Sequence, residues 1–88
     1  MKLITRETDY AIRALCYLAK HKNDVVTVTD LVRVLKIPKP FLRKILQRLN
    51  KGKLLKSYKG VGGGFKLLRP SSRIFVTDVI RVFQGQIK

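Results

Sequence analysis

The chain has 88 residues, 45% of them hydrophobic, which is enough for one domain around one modest core. Its formal net charge is +15, from 20 Lys and Arg against five acids, and a compact state that repels itself so strongly calls for a polyanionic partner. The single cysteine, Cys16, excludes an internal disulfide and a thiolate cluster, and together with the single histidine, His21, it cannot complete a zinc site.

The N-terminal segment predicts a helix from about Arg6 to Lys20, with Thr5 as N-cap and Glu7 and Asp9 at the positive end of the dipole. Lys20, His21 and Lys22 suit its other end, and His21 is expected to be exposed. Tyr10, Ala11, Ala14, Leu15 and Leu18 make one apolar stripe, while Ile12, Cys16 and Ala19 make a second, roughly opposite. A helix apolar on two sides needs two covers. The second cover is expected from a later helix or a partner chain, with Cys16 a small buried hydrophobe beneath it. Acids precede this apolar run, no signal-type cleavage site follows, and no apolar stretch approaches the roughly 18 residues of a membrane span, so a cytoplasmic location is expected.

Asn23 and Asp24 predict a turn, and Val25 to Val28 a short strand. A second helix is expected to start at Thr29 as N-cap, with Val28 ahead of it as a staple and Asp30 in the first turn, and to end at Lys36 and Ile37 before Pro38. The run Val28-Thr29-Asp30-Leu31-Val32 is echoed by Val76-Thr77-Asp78-Val79-Ile80. Nothing around the two copies matches, so they indicate the same capping used twice, not an internal repeat.

The third helix carries Pro40 in its first turn, where the missing N–H costs nothing, and runs to about Lys51 with Gly52 as terminator. With residues about 100° apart, Phe41, Leu42, Ile45, Leu46 and Leu49 share one face. Pro40, Arg43, Lys44, Gln47, Asn50 and Lys51 share the other. Lys53 to Tyr58 then reads as a strand, Gly60, Gly62, Gly63 and Gly64 as a tight turn, and Phe65 to Leu68 as the returning strand. Pro70, Ser71 and Ser72 make a loop, and Ile74, Phe75 and Val76 lead into a last helix.

Charge follows this order. Between Asp30 and Asp78 there is no acid, against 13 Lys or Arg. A membrane surface is disfavoured as partner, because the basic segment is broken by glycines and lacks a long amphipathic helix with aromatic anchors. The glycine run is not a nucleotide motif either: five residues after Gly60 stands Phe65 and not glycine, and Lys66 is followed by Leu67. No Ser or Cys sits in a nucleophile motif and no acid pairs obviously with His21, so an enzyme is not expected.

Helix, short turn, helix and hairpin is the order of a winged helix-turn-helix: mainly α with a small β-hairpin, one DNA-binding domain over 1–88, with the helix-turn-helix at about 29–51, the wing at about 54–69 and a further helix at about 77–84. The major groove admits one α-helix, and a hairpin beside it reaches the backbone or the minor groove. Lys39, Pro40, Arg43, Lys44 and Gln47 are the candidate base-facing residues; Arg43 suits guanine and Gln47 adenine, though either can instead touch phosphate. Arg48 and Lys51 suit phosphate. On the wing, Tyr58 suits phosphate, Lys59 a narrow minor groove, and Gly60, Gly62 and Gly63 let the backbone approach closely. Thr29, at the start of the second helix, completes the set. The alternative from another class is a small basic RNA-binding or ribosome-associated protein, which the charge alone equally supports but which lacks interleaved exposed aromatics for base stacking.

Tyr10-Ala11, Leu31, Ile37, Phe41-Leu42, Ile45-Leu46, Leu49, Lys59-Gly60-Val61-Gly62-Gly63-Gly64-Phe65 and Val76 to Ile80 together resemble the Rrf-type bacterial transcription regulators. That family includes the iron-sulfur cluster regulator, the nitric-oxide-sensing repressor and the cysteine-metabolism repressor. The resemblance implies a homodimeric repressor on a partly palindromic operator in double-stranded DNA, with recognition by Lys39, Pro40, Phe41, Arg43 and Lys44 and wing contacts by Tyr58, Lys59 and Gly60. The family usually has glycine where this chain has Lys53, so the step from helix to strand is expected to be built differently, around Gly52. Members continue into a long dimerisation helix and, in cluster-binding ones, a group of cysteines. Neither has a counterpart in these 88 residues. No cofactor is therefore expected in this chain, and the expectation is a reader without a sensor.

Overall fold

A computed structural model describes residues 5–70, 74 and 76–84. The elements run α1 (Arg6–Lys20), α2 (Val28–Leu35), α3 (Lys39–Lys51), β1 (Leu55–Tyr58), β2 (Gly64–Leu67) and α4 (Val76–Gln84), the order of a winged helix-turn-helix. The loop expected at Ser71 and Ser72 and the lead-in at Phe75 lie outside the described residues.

Periodicity places α1 and α3 where it predicts them, and α1 is capped by the Thr5 hydroxyl, which accepts from the Thr8 N–H at 3.2 Å. Four residues of α3, Leu42, Ile45, Leu46 and Leu49, are completely buried, together with Ala11 and Ala14 of α1 and Leu31 of α2. Burial of each large side chain contributes about 1.5–3 kcal/mol, which is what fixes the rotation of α3 and turns its cationic face outward. Gln84, at the end of α4, closes the domain against the first turn of α1. Its side-chain oxygen accepts from the Thr5 N–H at 3.3 Å and from the hydroxyl of the fully buried Thr8 at 3.1 Å.

Cys16 is exposed, not buried as its stripe suggests. The buried residues of α1, Thr8, Ala11, Ala14, Leu15 and Leu18, span one broad arc; Ile12 and Ala19 are half-buried at its margin, and Cys16 falls beyond it. The second stripe is therefore the edge of a single wide face.

The second helix begins earlier than Thr29. Thr27 is the N-cap, and it completes a reciprocal box: its hydroxyl accepts from the Asp30 N–H at 3.0 Å, and Asp30 accepts from the Thr27 N–H at 3.3 Å. From Thr29 the third residue on is Val32, which has no acceptor to return, so the box favours Thr27. Thr29 is thereby left exposed in the first turn.

The end of α3 turns at Lys53 and not at Gly52. Leu54 N–H donates to Leu49 O and Lys53 N–H to Asn50 O, both at 3.0 Å, which is a Schellman closure whose left-handed residue is Lys53 at φ 65°. Gly52 has φ −78°, and its lack of a side chain serves another end: a Cβ there would stand 2.5 Å from Val82 Cγ2 of α4. A non-glycine residue in the left-handed region costs about 1–2 kcal/mol, while glycine loses about 0.5–1 kcal/mol more chain entropy on folding. Lys53→Gly is therefore expected to stabilise the domain by roughly 0.5–1 kcal/mol, read as a higher urea midpoint at unchanged slope.

The strands pair antiparallel in the register Leu55↔Leu67, Lys56↔Lys66, Ser57↔Phe65 and Tyr58↔Gly64. The strand expected over Val25 to Val28 contracts to one bridge, with Val26 N–H donating to Phe65 O at 3.0 Å and Phe65 N–H to Val26 O at 2.8 Å. Capping at Thr27 ends the extended backbone there. That bridge ties the wing to the residue before the α2 cap, so wing and helix-turn-helix form one unit.

Candidate nucleic-acid interface

Between α3 and the wing lies an open groove of about 590 Å³. Val28 and Thr29 line it from the start of α2, Lys39, Arg43, Gln47 and Asn50 from α3, and Ser57, Tyr58, Lys59, Gly60, Gly63, Gly64 and Phe65 from the wing. Lys39, Arg43 and Gln47 recur every fourth residue and so stand in one row along the helix. All three are exposed, as are Asn50, Tyr58 and Lys59.

The electrostatics come from where the acids go. Asp9 pairs with Arg13 at 3.2 Å, Asp30 with Arg33 at 3.3 Å, and Glu7 with Arg48 at 3.6 Å. Asp78 pairs with Arg69 at 3.8 Å and Arg81 at 3.7 Å, and Asp24 stands 4.0 Å from His21. All five acids of the chain are thus engaged with cations or His21, and none lines the groove. Among the described residues, Lys39, Arg43 and Lys59 face the groove without a carboxylate partner. On the outward face of the wing Lys56 and Lys66 stand directly opposite each other, an arrangement that destabilises a hairpin unless an anion lies nearby.

Of the residues singled out from sequence, the groove brings together Thr29, Lys39, Arg43, Gln47, Tyr58, Lys59, Gly60 and Gly63. Pro40, Lys44, Lys51 and Gly62 are exposed outside its lining. Phe41 is half-buried with its ring edge-on to Tyr10, centroids 5.5 Å apart, and so belongs to the core's rim. Arg48 differs most from its expected role. It donates to Val82 O at 3.3 Å, lies 4.9 Å over the Phe83 ring and pairs with Glu7, so it ties α3 to α4 and α1 on the side away from the groove.

Sequence reasoning left out Val28, Asn50, Ser57, Gly64 and Phe65. Asn50 was within reach, three residues beyond Gln47 on the same row, and Ser57 by alternation from Leu55. Gly64 and Phe65 come to the groove through the bridge to Val26, which has no local signal.

The glycines of the tip have two causes. At Gly60 and Gly62, φ is +90° and +78° with open space all round, so backbone conformation demands them. At Gly63 and Gly64 the demand is steric: a Cβ would overlap Tyr58 O at the first and Val26 O at the second.

Fold and site together define a winged helix-turn-helix with a cationic groove. Residues 4–88 match the Rrf2 family, described as iron-dependent transcriptional regulators, and the chain belongs to that family. It is 40% identical over 79 residues to a candidate HTH-type transcriptional regulator of Aquifex aeolicus (strain VF5), covering 90% of this chain and 55% of the relative. It is 32% identical over 83 residues to the HTH-type transcriptional regulator NsrR of Oceanobacillus iheyensis, covering 93% of this chain and 56% of the relative. Among solved structures it superposes on CymR (YrzC), the global cysteine regulator of B. subtilis, with TM-score 0.91 at 25% identity, covering 99% of this chain and 68% of that one. On T. potens IscR the TM-score is 0.87 at 30% identity, covering 100% of this chain and 64% of that one. The chain spans about half the length of the curated relatives it matches.

The family description names iron, but Cys16 is the single thiol of the chain. Among the described residues no three His, Cys, Asp or Glu side chains converge, so these residues do not fit an iron or iron-sulfur centre. Among them, too, no helix is long and apolar enough to cross a membrane.

Proposed function

We propose that this chain is the duplex-DNA reader of a bacterial transcription regulator, a binding module and not a catalyst, with α3 in the major groove and the wing on the adjacent backbone and minor groove. The observation that carries the reading is the groove itself: Lys39, Arg43 and Lys59 converge on it while every acid is engaged elsewhere. Lys39, Arg43 and Gln47 face bases, with Asn50 continuing their row. Thr29, Tyr58 and the Gly60 and Gly63 backbone hold phosphates, Lys59 enters the narrow minor groove, and Lys44 and Lys51 add contacts along the strands. Arg48 holds the recognition helix on the domain instead of touching DNA. An A-form RNA duplex has a deep, narrow major groove that does not admit α3, which favours DNA over the RNA reading.

Selection of bound duplexes from a random pool, with single-stranded RNA as competitor, tests this directly. A defined duplex is expected to emerge, and its affinity to fall with salt at a log–log slope of about −4 to −6, for roughly five or six phosphates. A flat salt response, or RNA displacing every duplex, would sink the reading.

A helix-turn-helix reader of a partly palindromic site works as a two-fold dimer. The margin of α1 that carries half-buried Ile12 and Ala19 and exposed Cys16 is a surface a second copy can cover. Ile12→Glu is expected to lower the mass seen by light scattering from dimer to monomer. An unchanged mass would put the dimer contact elsewhere.

A further inference from the structure

Val61 is the most exposed hydrophobic side chain of the wing, at 109% relative accessibility, so none of the described residues packs against it. Yet its position is closely determined. Gly60 and Gly62 on either side hold positive φ, and Gly63 N–H closes the turn onto Gly60 O at 3.0 Å. The hairpin below is in turn fixed to Val26 by the two bonds of the bridge. The tip of the wing is therefore a bare backbone loop bearing one compact, β-branched, apolar group, with exposed Lys59 just before it. A single valine offers too little area for a protein partner, whose interfaces bury on the order of 800 Å² per side. It matches a narrower receptor.

We propose that Val61 reads the minor groove by exclusion, disfavouring G·C pairs beneath the wing tip. This rests on the duplex reading above and adds a specificity determinant to it. A minor groove about 6 Å wide admits a loop with one small side chain. On its floor A·T and T·A pairs show acceptors only, whereas G·C adds the guanine N2 amino donor, which projects into the groove. An isopropyl group cannot accept from that donor and strips it of water, leaving it unsatisfied. Lys59 works in the same direction, since A·T-rich grooves are narrower and more negative. Polar tips that accept hydrogen bonds would not discriminate in this way.

The test uses the 88-residue chain and the duplex it selects from the random pool. Each A·T pair flanking the α3 contact is exchanged singly for G·C and for inosine·C, which keeps the major-groove face of G·C but lacks the N2 amino group. At one or two positions the wild-type chain is expected to bind G·C about tenfold more weakly than inosine·C. Val61→Asn, whose carboxamide oxygen accepts from the amino group, is expected to bring the two within about twofold. Because Val61 is fully exposed, V61N should melt with the wild type, which separates recognition from folding. Equal binding of G·C and inosine·C at every position by the wild type, or the same ratio in V61N, overturns the role of Val61 and leaves the duplex reading standing. Failure to select any duplex overturns both.

Discussion

Gly64→Ala is expected to lower the stability of the domain by about 2 kcal/mol and to weaken duplex binding at the same time, the first from the cost of an overpacked contact. A Cβ on Gly64 would overlap the Val26 carbonyl and stand 3.0 Å from Thr27 Cα. Neither neighbour can give way cheaply. Val26 O already accepts from Phe65 N–H at 2.8 Å, and Thr27 is the cap whose box with Asp30 starts α2. Relief therefore means moving the wing off the helix-turn-helix, which shifts Tyr58 and Lys59 away from the row on α3. Gly60→Ala is the control: its φ of +90° makes it costly too, but the space around it is open and the bridge to Val26 is untouched. Urea unfolding and duplex titration of both variants decide the matter. If G64A loses stability no more than G60A and binds like the wild type, the wing is not positioned through this contact.

Local chemistry made much of this fold legible, and most of the differences have one cause. The bounds of α1 and α3 follow from apolar periodicity and from Thr5 and Pro40, all of which act within a few residues. Thr29 offers the same hydroxyl as Thr27, and only the reciprocal acceptor of Asp30, three residues on from Thr27, separates the two. The step expected around Gly52 turns instead at Lys53, because Gly52 is taken up by the close approach of Val82. The row Lys39, Arg43, Gln47 was legible since it is a property of one helix. Arg48 was not: on the wheel it borders the cationic face, but Glu7 and the Val82 carbonyl, 41 and 34 positions away in the chain, capture it. For Cys16 the sequence shows an apolar stripe without saying how wide an arc the neighbouring elements cover. Partners remote in sequence decide Lys53, Arg48 and Cys16, and a single sequence does not show them.

That distinction between row and rim sets the largest expected effect on recognition. Arg43→Ala should cost about 1–3 kcal/mol on the selected duplex and relax preference at one or two base pairs, because a bidentate donor to guanine is lost. Arg43 is suited to the role by its surroundings. Leu42, Ile45 and Leu46 on the opposite face are completely buried and hold the helix in rotation, and Lys39 and Gln47 flank it one turn away in the groove. Lys51 is equally exposed and equally charged, but it lies at the C-terminal end of α3 outside the groove. Lys51→Ala should therefore weaken all sequences alike, lowering the salt slope by about 1 without changing which duplex is preferred. The two variants remove the same formal charge, so a difference between them cannot come from net electrostatics. Equal, sequence-blind losses in both would mean that α3 rides on the backbone, and the reading of bases would have to move to the wing.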